Sequence, residues 1–348
     1  MELRTILEQI FPVDPRAAAA CQARWDLVAK PLGSLGKLEE LLCCIAAITG
    51  SAEIELGKKC VLVFCADNGV LAQGVAQCGH KVTTNIACSL AKGSASVNAM
   101  AHICGADVLA VDMGMVDGVP ELLNCRLSAG TGDISVMPAM TREMAQEAIL
   151  TGIRLVGQKK EEGYRLLATG EAGIGNTTSS SAMASVLLNL PVERVTGRGS
   201  GLSDEGMKRK QAAIRKALLV NQPDPSDPLD VLSKVGGFDI AAMTGVFLGG
   251  GYYHVPIVMD GLISSVAALC AVRLCPQVRD YILPSHITAE PAGQLILQEL
   301  GFSPILDAGM RLGEGSGAVA LFPRLDMAAA VYHSAATFDD LQMEAYKR

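Results

Sequence analysis

From Lys58 onward the sequence alternates short apolar runs with helical stretches, and this alternation constrains the fold more than any other feature. A continuous apolar run is typical of a strand buried on both faces, and strands separated by helices are typical of a parallel sheet. We therefore expect an α/β fold with helices on both sides of the sheet. The predicted strand segments are KKCVLVFCADNG, GADVLAVDMGM, RLLATGEAGIGN, ERVTGRGSG, HVPIVMDG, YILPSHITAE and SPILDAGMRLGEGSG.

The polar, glycine-rich residues of these segments come after the apolar runs. In a parallel sheet such residues share the carboxyl edge, where open α/β sheets place their ligands. The sequence therefore predicts one site at this edge, built from several segments.

The first 55 residues read as helices and carry no strand pattern. The second helix is expected from Pro15 to Ala29. The third follows Ser34, whose hydroxyl is a candidate N-cap, and stops at Gly50.

The chain's end also reads as helical, from Glu314 onward, with breaks at Pro323 and beyond. We expect the two ends to pack together as a small helical part formed by residues 1–55 and 326–348. Residues 56–325 are then the large α/β part that carries the site. The clearest loop is NQPDPSDP (221–228), with three prolines.

Composition excludes several classes of protein. Half of the 348 residues are hydrophobic, which allows a large core and excludes a disordered chain. The net charge of −7 argues against a nucleic-acid binder. Apolar runs stay shorter than the ~18 residues of a membrane span, and the first residues lack the apolar region of a signal peptide. Eleven cysteines without a CxxC pair, most of them in apolar stretches, indicate a reducing compartment, so we expect a cytoplasmic protein.

The segment GEAGIGNTTSSS (170–181) is the richest candidate for binding. Its glycines allow close backbone approach, and its amides and hydroxyls open a helix, which is a natural phosphate site. It is neither a Walker A loop nor a dinucleotide fingerprint. A Ser/Thr-rich helix cap is the alternative interpretation, with about equal weight. The candidate residues here are Gly173, Gly175, Asn176, Thr177 and Thr178.

A second glycine-rich loop, TGRGSGLSDEG (196–206), follows another predicted strand. An anion held by the amides of Gly199, Ser200 and Gly201 could gain the charge of Lys210 from the next helix. A flexible loop before a solvated basic helix face is equally compatible with the sequence.

The segment RLGEGSGA (311–318) places one carboxylate, Glu314, between glycines at a predicted helix start. Such a carboxylate can cap the helix, or it can act as a general base if it is partly desolvated. The residues alone favour the cap, because structural acids outnumber catalytic ones.

Polar residues also follow other predicted strands, namely Asp67, Asn68, Ser285, His286 and Glu290. The five histidines lack a metal-ligand spacing, and the sequence has no ordered Ser-His-acid set. Anion-binding loops with one candidate base suit group transfer on a phosphorylated substrate, without a metal.

Seven segments together resemble one known family, the nicotinate-nucleotide–dimethylbenzimidazole phosphoribosyltransferases, which act in the assembly of the cobamide lower ligand. The segments keep the family order and span nearly the whole chain. They are KPLGSLGKLE (30–39), ADNGV (66–70), GEAGIGNTTSSSA (170–182), GRGSG (197–201), GGFDIAAMTG (236–245), SHITAEP (285–291) and RLGEGSGA (311–318).

The resemblance implies a Rossmann-like, doubly wound parallel sheet with a small helical domain built from the N-terminal helices and the chain's end. It also implies a dimer, with an identical or a related chain, whose active site lies near the subunit interface. The implied partners are small molecules, nicotinate mononucleotide and an aromatic base such as 5,6-dimethylbenzimidazole, and the products are an α-ribotide 5′-phosphate and nicotinate.

By the same resemblance Glu314 is the general base, Glu171 lies near the sugar, and the GEAGIGNTT loop binds the phosphoribosyl group. Thr288 belongs to the substrate-binding set as well. Neither a cofactor nor a metal is expected. The ring nitrogen of nicotinate is cationic in the nucleotide, so nicotinate leaves without an acid or a Lewis acid.

The chain departs from the family pattern at GVAQCGHKVT (74–83), where the family typically reads close to GVSAYPQEVT. Ala76 stands for the serine and His80 for the glutamine that contact the aromatic base. We assign Ala76, His80 and Leu312 to the acceptor pocket. This change leaves open a phenol- or p-cresol-using subunit of a heterodimer, or its non-catalytic partner. A nucleotide-binding oxidoreductase is disfavoured by the missing dinucleotide fingerprint.

Overall fold

The structure, a computed structural model, describes residues 2–347. The strands are β1 (Lys58–Ala66), β2 (Ala106–Gly114), β3 (Leu123–Asn124), β4 (Tyr164–Ala172), β5 (Ile257–Met259) and β6 (Ile282–Pro284). All of them pair in parallel in one sheet of order β3-β2-β1-β4-β5-β6.

Helices connect the strands and flank the sheet. Up to β4 they are α1 (Leu3–Leu7), α2 (Pro15–Leu27), α3 (Lys37–Thr49), α4 (Lys81–Ala91), α5 (Ser96–Ile103) and α6 (Arg142–Glu161). After β4 they are α7 (Asn176–Leu187), α8 (Val192–Val195), α9 (Asp204–Asn221), α10 (Pro228–Val235), α11 (Phe238–Tyr253), α12 (Leu262–Leu274), α13 (Pro291–Glu299) and α14 (Ser316–Ser334). Short 3-10 helices cover Gly69–Gln73 and Pro276–Tyr281.

The predicted doubly wound parallel sheet is confirmed. In β1 every residue after Lys58 is buried, and because successive side chains point to opposite faces, both faces of the sheet must be covered. The strand order reverses between β1 and β4, which is the place where this kind of sheet forms a ligand crevice at its carboxyl ends.

Two of the predicted strands are wrong. The residues after Pro191 form the short helix α8, in which the Thr196 hydroxyl donates to the carbonyl of Val192 at 2.6 Å. The GRGSG loop therefore follows a helix. The segment SPILDAGM makes only an isolated bridge, between Leu306 and His286. The two-residue strand β3 was missed, because two residues carry no periodicity.

Of the two predicted boundaries of α3, the start differs and the end is confirmed. Gly36 occupies the N-cap of α3, and the role of Ser34 as cap was wrong. The Glu39 carboxylate accepts from the amide of Leu35 and from Lys30 Nζ instead, at 2.9 and 2.6 Å. The predicted stop at Gly50 is confirmed, since this residue adopts a left-handed conformation with φ of 70°.

Helix α14 runs through Pro323 without the predicted break and ends at Ser334. A proline at this position leaves the carbonyl of Val319 without its helical donor. The Sγ atom of Cys104, next to the end of α5, lies 3.8 Å from the Val319 oxygen and 3.4 Å from the Met100 oxygen. The helix therefore continues across the predicted boundary between 325 and 326, and the division into domains stays a prediction.

The two ends of the chain pack together. The rings of Trp25 and Tyr332 meet edge-on at 5.0 Å between centroids. Beyond α14 the chain pairs with the segment after α2 through a bridge between Val28 and Thr337, and the amide of Phe338 donates to the carbonyl of Leu27 at 3.0 Å. Among residues 2–347, no helix is both long and apolar enough to cross a bilayer.

Candidate active site

A cleft of about 190 Å³ opens at the carboxyl ends of β4, β5 and β6. The loops that follow these strands line it, together with the start of α7 and the segment before α14. It brings together most of the residues predicted for the site, namely Ala76, Glu171, Gly173, Gly175, Asn176, Thr177, Gly199, Ser200, Thr288, Leu312 and Glu314.

Four predicted residues do not line the cleft. Thr178 is fully buried in α7, and the carbonyl of Gly201 accepts from the Gln77 side chain. Lys210 is buried behind the glycine-rich loop. His80 lies at the start of α4, 3.5 Å from the Asp117 carboxylate, and its assignment to the acceptor pocket has no support from its position.

Asn176 joins two carboxylates at the inner end of the cleft. Its Nδ2 donates to Glu171 Oε2 and also to Asp239 Oδ2, the latter at 2.8 Å. Asp239 is fully buried in the first turn of α11. The site therefore contains an acid–amide–acid bridge that the sequence analysis did not assign.

Gly173 is required for this bridge. A Cβ atom on Gly173 would lie 2.7 Å from the carbonyl oxygen of Ala66 and 2.9 Å from Asp239 Oδ2. Both contacts are closer than real Cβ atoms show, so a side chain here would displace β1 or the Asp239 carboxylate. The role of Gly173 is to let the backbone after β4 approach its neighbours closely.

Burial and repulsion between neighbouring carboxylates raise the pKa values of Glu171 and Asp239 above their usual range. Burial, with the charges of Asp239, Asp260 and Glu314, raises the pKa of Glu171 to about 8, against the opposing hydrogen bond from Asn176. Burial also raises the pKa of Asp239 to about 6, again against the donation from Asn176. These surroundings therefore favour the protonated form of Glu171 at neutral pH.

Glu314 sits in an uncommon backbone conformation beside Glu171. Its φ is 60°, and the flanking Gly313 and Gly315 are also left-handed. The amide of Glu314 donates to the main-chain oxygen of Glu171 at 3.2 Å. Its side-chain Oε2 accepts from the amide of Val97 at 3.2 Å, in the first turn of α5. The carboxylate therefore caps a helix, as one interpretation of the sequence predicted, but the helix is α5 and not α14.

The start of α14 is capped by Asp260, which directly follows β5. Its carboxylate accepts from the amides of Gly315, Gly317 and Ala318 at 2.8–3.2 Å. Burial raises the pKa of Asp260, while the nearby His286 opposes this effect. Because Asp260 holds the helix start, the side chain of Glu314 is left to face the cleft and α5.

The two glycine-rich loops meet at the start of α7. The amide of Gly199 donates to Glu290 Oε1 at 3.0 Å, and Lys210 Nζ donates to Thr177 Oγ1 and to the carbonyl of Gly197 at 2.9 and 3.0 Å. Burial lowers the pKa of Lys210 to about 8, although the charge of Glu290 opposes this. Thr177 thus faces the cleft with a lysine directly behind its hydroxyl.

Asp239 and Asp260 both lie in segments that stand out in the sequence, but neither was predicted to have a role. Arg198 and Arg311 were not predicted as site residues either, and both line the cleft. The position of Asp260 directly after the apolar run HVPIVM was a usable signal, whereas nothing in the sequence indicates that Asp239 meets Asn176. Within the described chain, no group of three or more His, Cys, Asp or Glu residues is arranged to hold a metal ion.

Comparison with known proteins identifies the family. Residues 10–343 match a family described as phosphoribosyltransferase. A protein of Ruminiclostridium cellulolyticum named nicotinate-nucleotide–dimethylbenzimidazole phosphoribosyltransferase is 47% identical, with 100% of this chain and 99% of the relative covered. A protein of Desulforudis audaxviator with the same name is 46% identical, with 97% of each chain covered.

A solved structure shows the same fold. The crystal structure of CobT from Thermus thermophilus superimposes with a TM-score of 0.90 at 37% identity, covering 95% of this chain and 99% of that one. The fold, the cleft and the full-length similarity lead to one conclusion: the chain belongs to the nicotinate-nucleotide–dimethylbenzimidazole phosphoribosyltransferase family.

Proposed function

We propose that this chain transfers the phosphoribosyl group of nicotinate mononucleotide to 5,6-dimethylbenzimidazole, giving an α-ribotide 5′-phosphate and nicotinate. The observation that carries the proposal is the pairing of Glu171 and Glu314 in one cleft, joined by a 3.2 Å main-chain hydrogen bond. The names and full-length similarity of the relatives support the same reaction.

The 5′-phosphate is held where the two glycine-rich loops meet. The start of α7 offers backbone amides and the Thr177 hydroxyl, and the positive end of the helix favours an anion. Lys210, in contact with Thr177 Oγ1, adds positive charge from behind. Binding energy from this remote group positions the anomeric carbon near the carboxylates.

Bond cleavage develops positive charge on the ribose while the cationic pyridinium ring becomes the neutral pyridine ring of nicotinate. A carboxylate beside the sugar stabilises that charge, and Glu171 is the group placed to supply it. The cationic ring of the bound nucleotide favours the ionised form of Glu171, which burial and the neighbouring carboxylates disfavour.

The incoming benzimidazole loses its ring proton when its other nitrogen has formed the new C–N bond. Glu314 takes that proton: Oε2 stays bonded to the amide of Val97, and the carboxylate keeps a second oxygen for the base. Attack opposite the leaving nicotinate converts the β-nucleotide into the α-ribotide.

The test is to incubate the purified chain with nicotinate mononucleotide and 5,6-dimethylbenzimidazole and to follow both products by liquid chromatography and mass spectrometry. The proposal expects the α-ribotide phosphate and nicotinate in equal amounts. Nicotinate released without a ribotide would indicate a hydrolase, and no product with any aromatic acceptor would contradict the proposal. The second outcome would favour a non-catalytic partner subunit.

We further propose that the enzyme acts in the cytoplasm as a dimer. All eleven cysteines are free thiols, and several are buried among apolar side chains, as expected in a reducing compartment. Light scattering of the purified chain, alone and in mixtures with a related subunit, tests whether the dimer is formed by identical chains.

A further inference from the structure

We propose that Arg311 recognises the carboxylate of the nicotinate ring, and so makes the enzyme select nicotinate mononucleotide over its uncharged amide analogue. This inference rests on the proposed function, because it concerns the substrate of the same cleft.

Two guanidinium groups line the cleft, and they differ in what they contact. Arg198 is already engaged by the protein, because it donates to the carbonyl of Leu202 at 2.7 Å and pairs with Asp204. Arg311 is exposed, and in residues 2–347 its side chain has neither a hydrogen bond nor an ion pair. Its five donors are therefore available to a ligand.

The backbone around Arg311 is fixed even though its side chain is not engaged. On one side the carbonyl of Met310 accepts from the amide of Ala289 at 3.1 Å. On the other side Gly313 packs against Glu171, where a Cβ atom would lie 2.5 Å from Oε1. The loop thus holds the Arg311 guanidinium at the cleft, three residues before Glu314.

The charges of the cleft are complementary to the nicotinate ring of the nucleotide, which carries a cationic ring nitrogen and an anionic carboxylate. The acids of the cleft are Glu171, Asp260, Glu290 and Glu314, which suit the cationic ring nitrogen bonded to the sugar. The ring carboxylate needs a cation away from these acids, and an exposed guanidinium binds a carboxylate through two parallel hydrogen bonds. Arg311 supplies that group at the rim.

The 5′-phosphate is a less suitable ligand for Arg311. The phosphate donors proposed above, the start of α7 and Lys210 behind Thr177, are grouped at the junction of the two glycine-rich loops. Arg311 belongs to a different segment of the lining, the one that carries Glu314. A carboxylate on the leaving ring is thus the anion that this segment is placed to receive.

The experiment measures kcat/KM for nicotinate mononucleotide and for nicotinamide mononucleotide, with 5,6-dimethylbenzimidazole as acceptor. Competitive inhibition by free nicotinate and free nicotinamide is measured in parallel, since it reports ring recognition even where the amide nucleotide turns over too slowly. The variants are Arg311→Gln and Arg311→Lys, with Arg198→Gln as the matched variant of the engaged arginine. Thermal unfolding checks that each variant is folded.

We expect Arg311→Gln to lower the preference for nicotinate over nicotinamide by about tenfold or more, which corresponds to about 1.4 kcal/mol. Arg311→Lys should retain part of the preference, because it keeps the charge but not the planar pair of donors. Arg198→Gln should leave the preference unchanged, whatever it does to the overall rate.

Three results would overturn the inference: an unchanged preference in Arg311→Gln, an equal loss with both nucleotides and both free rings, or a wild-type enzyme without a preference. An equal loss would assign Arg311 to the phosphate or the fold. A wild type that does not use nicotinate mononucleotide at all contradicts the proposed function instead, and calorimetric titration of free nicotinate and free nicotinamide into wild type and Arg311→Gln then decides separately whether Arg311 binds the ring acid.

Discussion

The side-chain amide of Asn176 donates to Asp239 at 2.8 Å, and the same nitrogen donates to Glu171. Two acceptors on one amide nitrogen fix the orientation of the amide, and with it the position of the Glu171 carboxyl group. Asp239 thus helps to position the Glu171 carboxyl group through Asn176.

Asn176→Ala removes both donations and leaves a buried Asp239 carboxylate without its side-chain donor. We expect the free energy of unfolding to fall by roughly 1–3 kcal/mol, the usual cost of a buried polar group that has lost its partner. Urea unfolding at neutral pH measures this loss. Asn85→Ala, at an exposed position of α4, is the control and should change stability by less than about 0.5 kcal/mol.

Glu314→Gln should lower kcat by about 10²–10⁴-fold, the usual contribution of a general base, with little change in the KM for the nucleotide. A glutamine oxygen can still accept from the amide of Val97, so the cap on α5 is kept while the proton acceptor is lost. Steady-state kinetics with both substrates varied provides the test. Asp307→Asn, an exposed acid in the preceding loop, should behave as wild type. A Glu314→Gln enzyme within about fivefold of wild type would remove Glu314 from the role of base.

Glu171 makes stability depend on pH. Its pKa rises from 4.5 to about 8 on folding, so between these values the folded chain binds a proton that the unfolded chain has released. The contribution of Glu171 to the free energy of unfolding is therefore largest near or below pH 4.5, and it falls as the pH rises toward 8. At about 1.36 kcal/mol per pKa unit, we expect the free energy of unfolding to drop by an amount on the order of 5 kcal/mol over this range in wild type, and by clearly less in Glu171→Gln. Equal slopes in the two proteins would show that Glu171 is not the group responsible.

Lys210→Met should raise the KM for nicotinate mononucleotide by about tenfold, because a phosphate held at Thr177 loses the charge behind it. Methionine fills a similar volume but leaves the Gly197 carbonyl and the Thr177 hydroxyl without their buried donor, so we also expect a loss of stability of about 1–3 kcal/mol, and the KM is measured at a temperature at which the variant is folded. Lys208 is exposed and lies two residues earlier, so Lys208→Met removes a lysine charge from the same helix but keeps Lys210, and it serves as the control variant. Similar KM values in both variants would place the phosphate elsewhere.

The predicted acceptor pocket can be tested with single substitutions at Ala76 and His80, because Ala76 lines the cleft and His80 does not. Ala76→Ser should raise the preference for 5,6-dimethylbenzimidazole over p-cresol, since a hydroxyl can bond a ring nitrogen, by up to about tenfold. His80→Gln should leave the preference unchanged, because His80 faces Asp117. Competition between the two acceptors in one reaction measures both effects. A shift in His80→Gln alone would contradict this division of roles.

The parts of the fold that could be predicted from sequence are those with a local pattern. The long strands β1, β2 and β4 each contain an apolar run, and the loops after them are marked by glycines. Helix α8 was missed because its four residues are too few to show a helical period, and β-branched valines favour the strand interpretation.

The site was predictable only as far as its residues lie in recognisable motifs. Glu171, Asn176 and Glu314 belong to such motifs, and the cleft does bring them together. The bond between Asn176 and Asp239 joins α7 to α11, and the bond between Glu314 and Val97 spans 217 residues. Contacts of this kind follow from tertiary packing, which leaves no trace in the local spacing of one sequence.

The helices at the start of the chain cannot finish packing until nearly all of it has left the ribosome. Trp25 is covered by Tyr332, and the segment after α2 pairs with residues around Phe338. At ~5–20 residues per second, the roughly 300 residues in between take on the order of 15–60 s to synthesise. A nascent chain that stalls before residue 332 thus carries a nearly complete sheet beside an uncovered tryptophan, and is expected to be a substrate for chaperones and proteases.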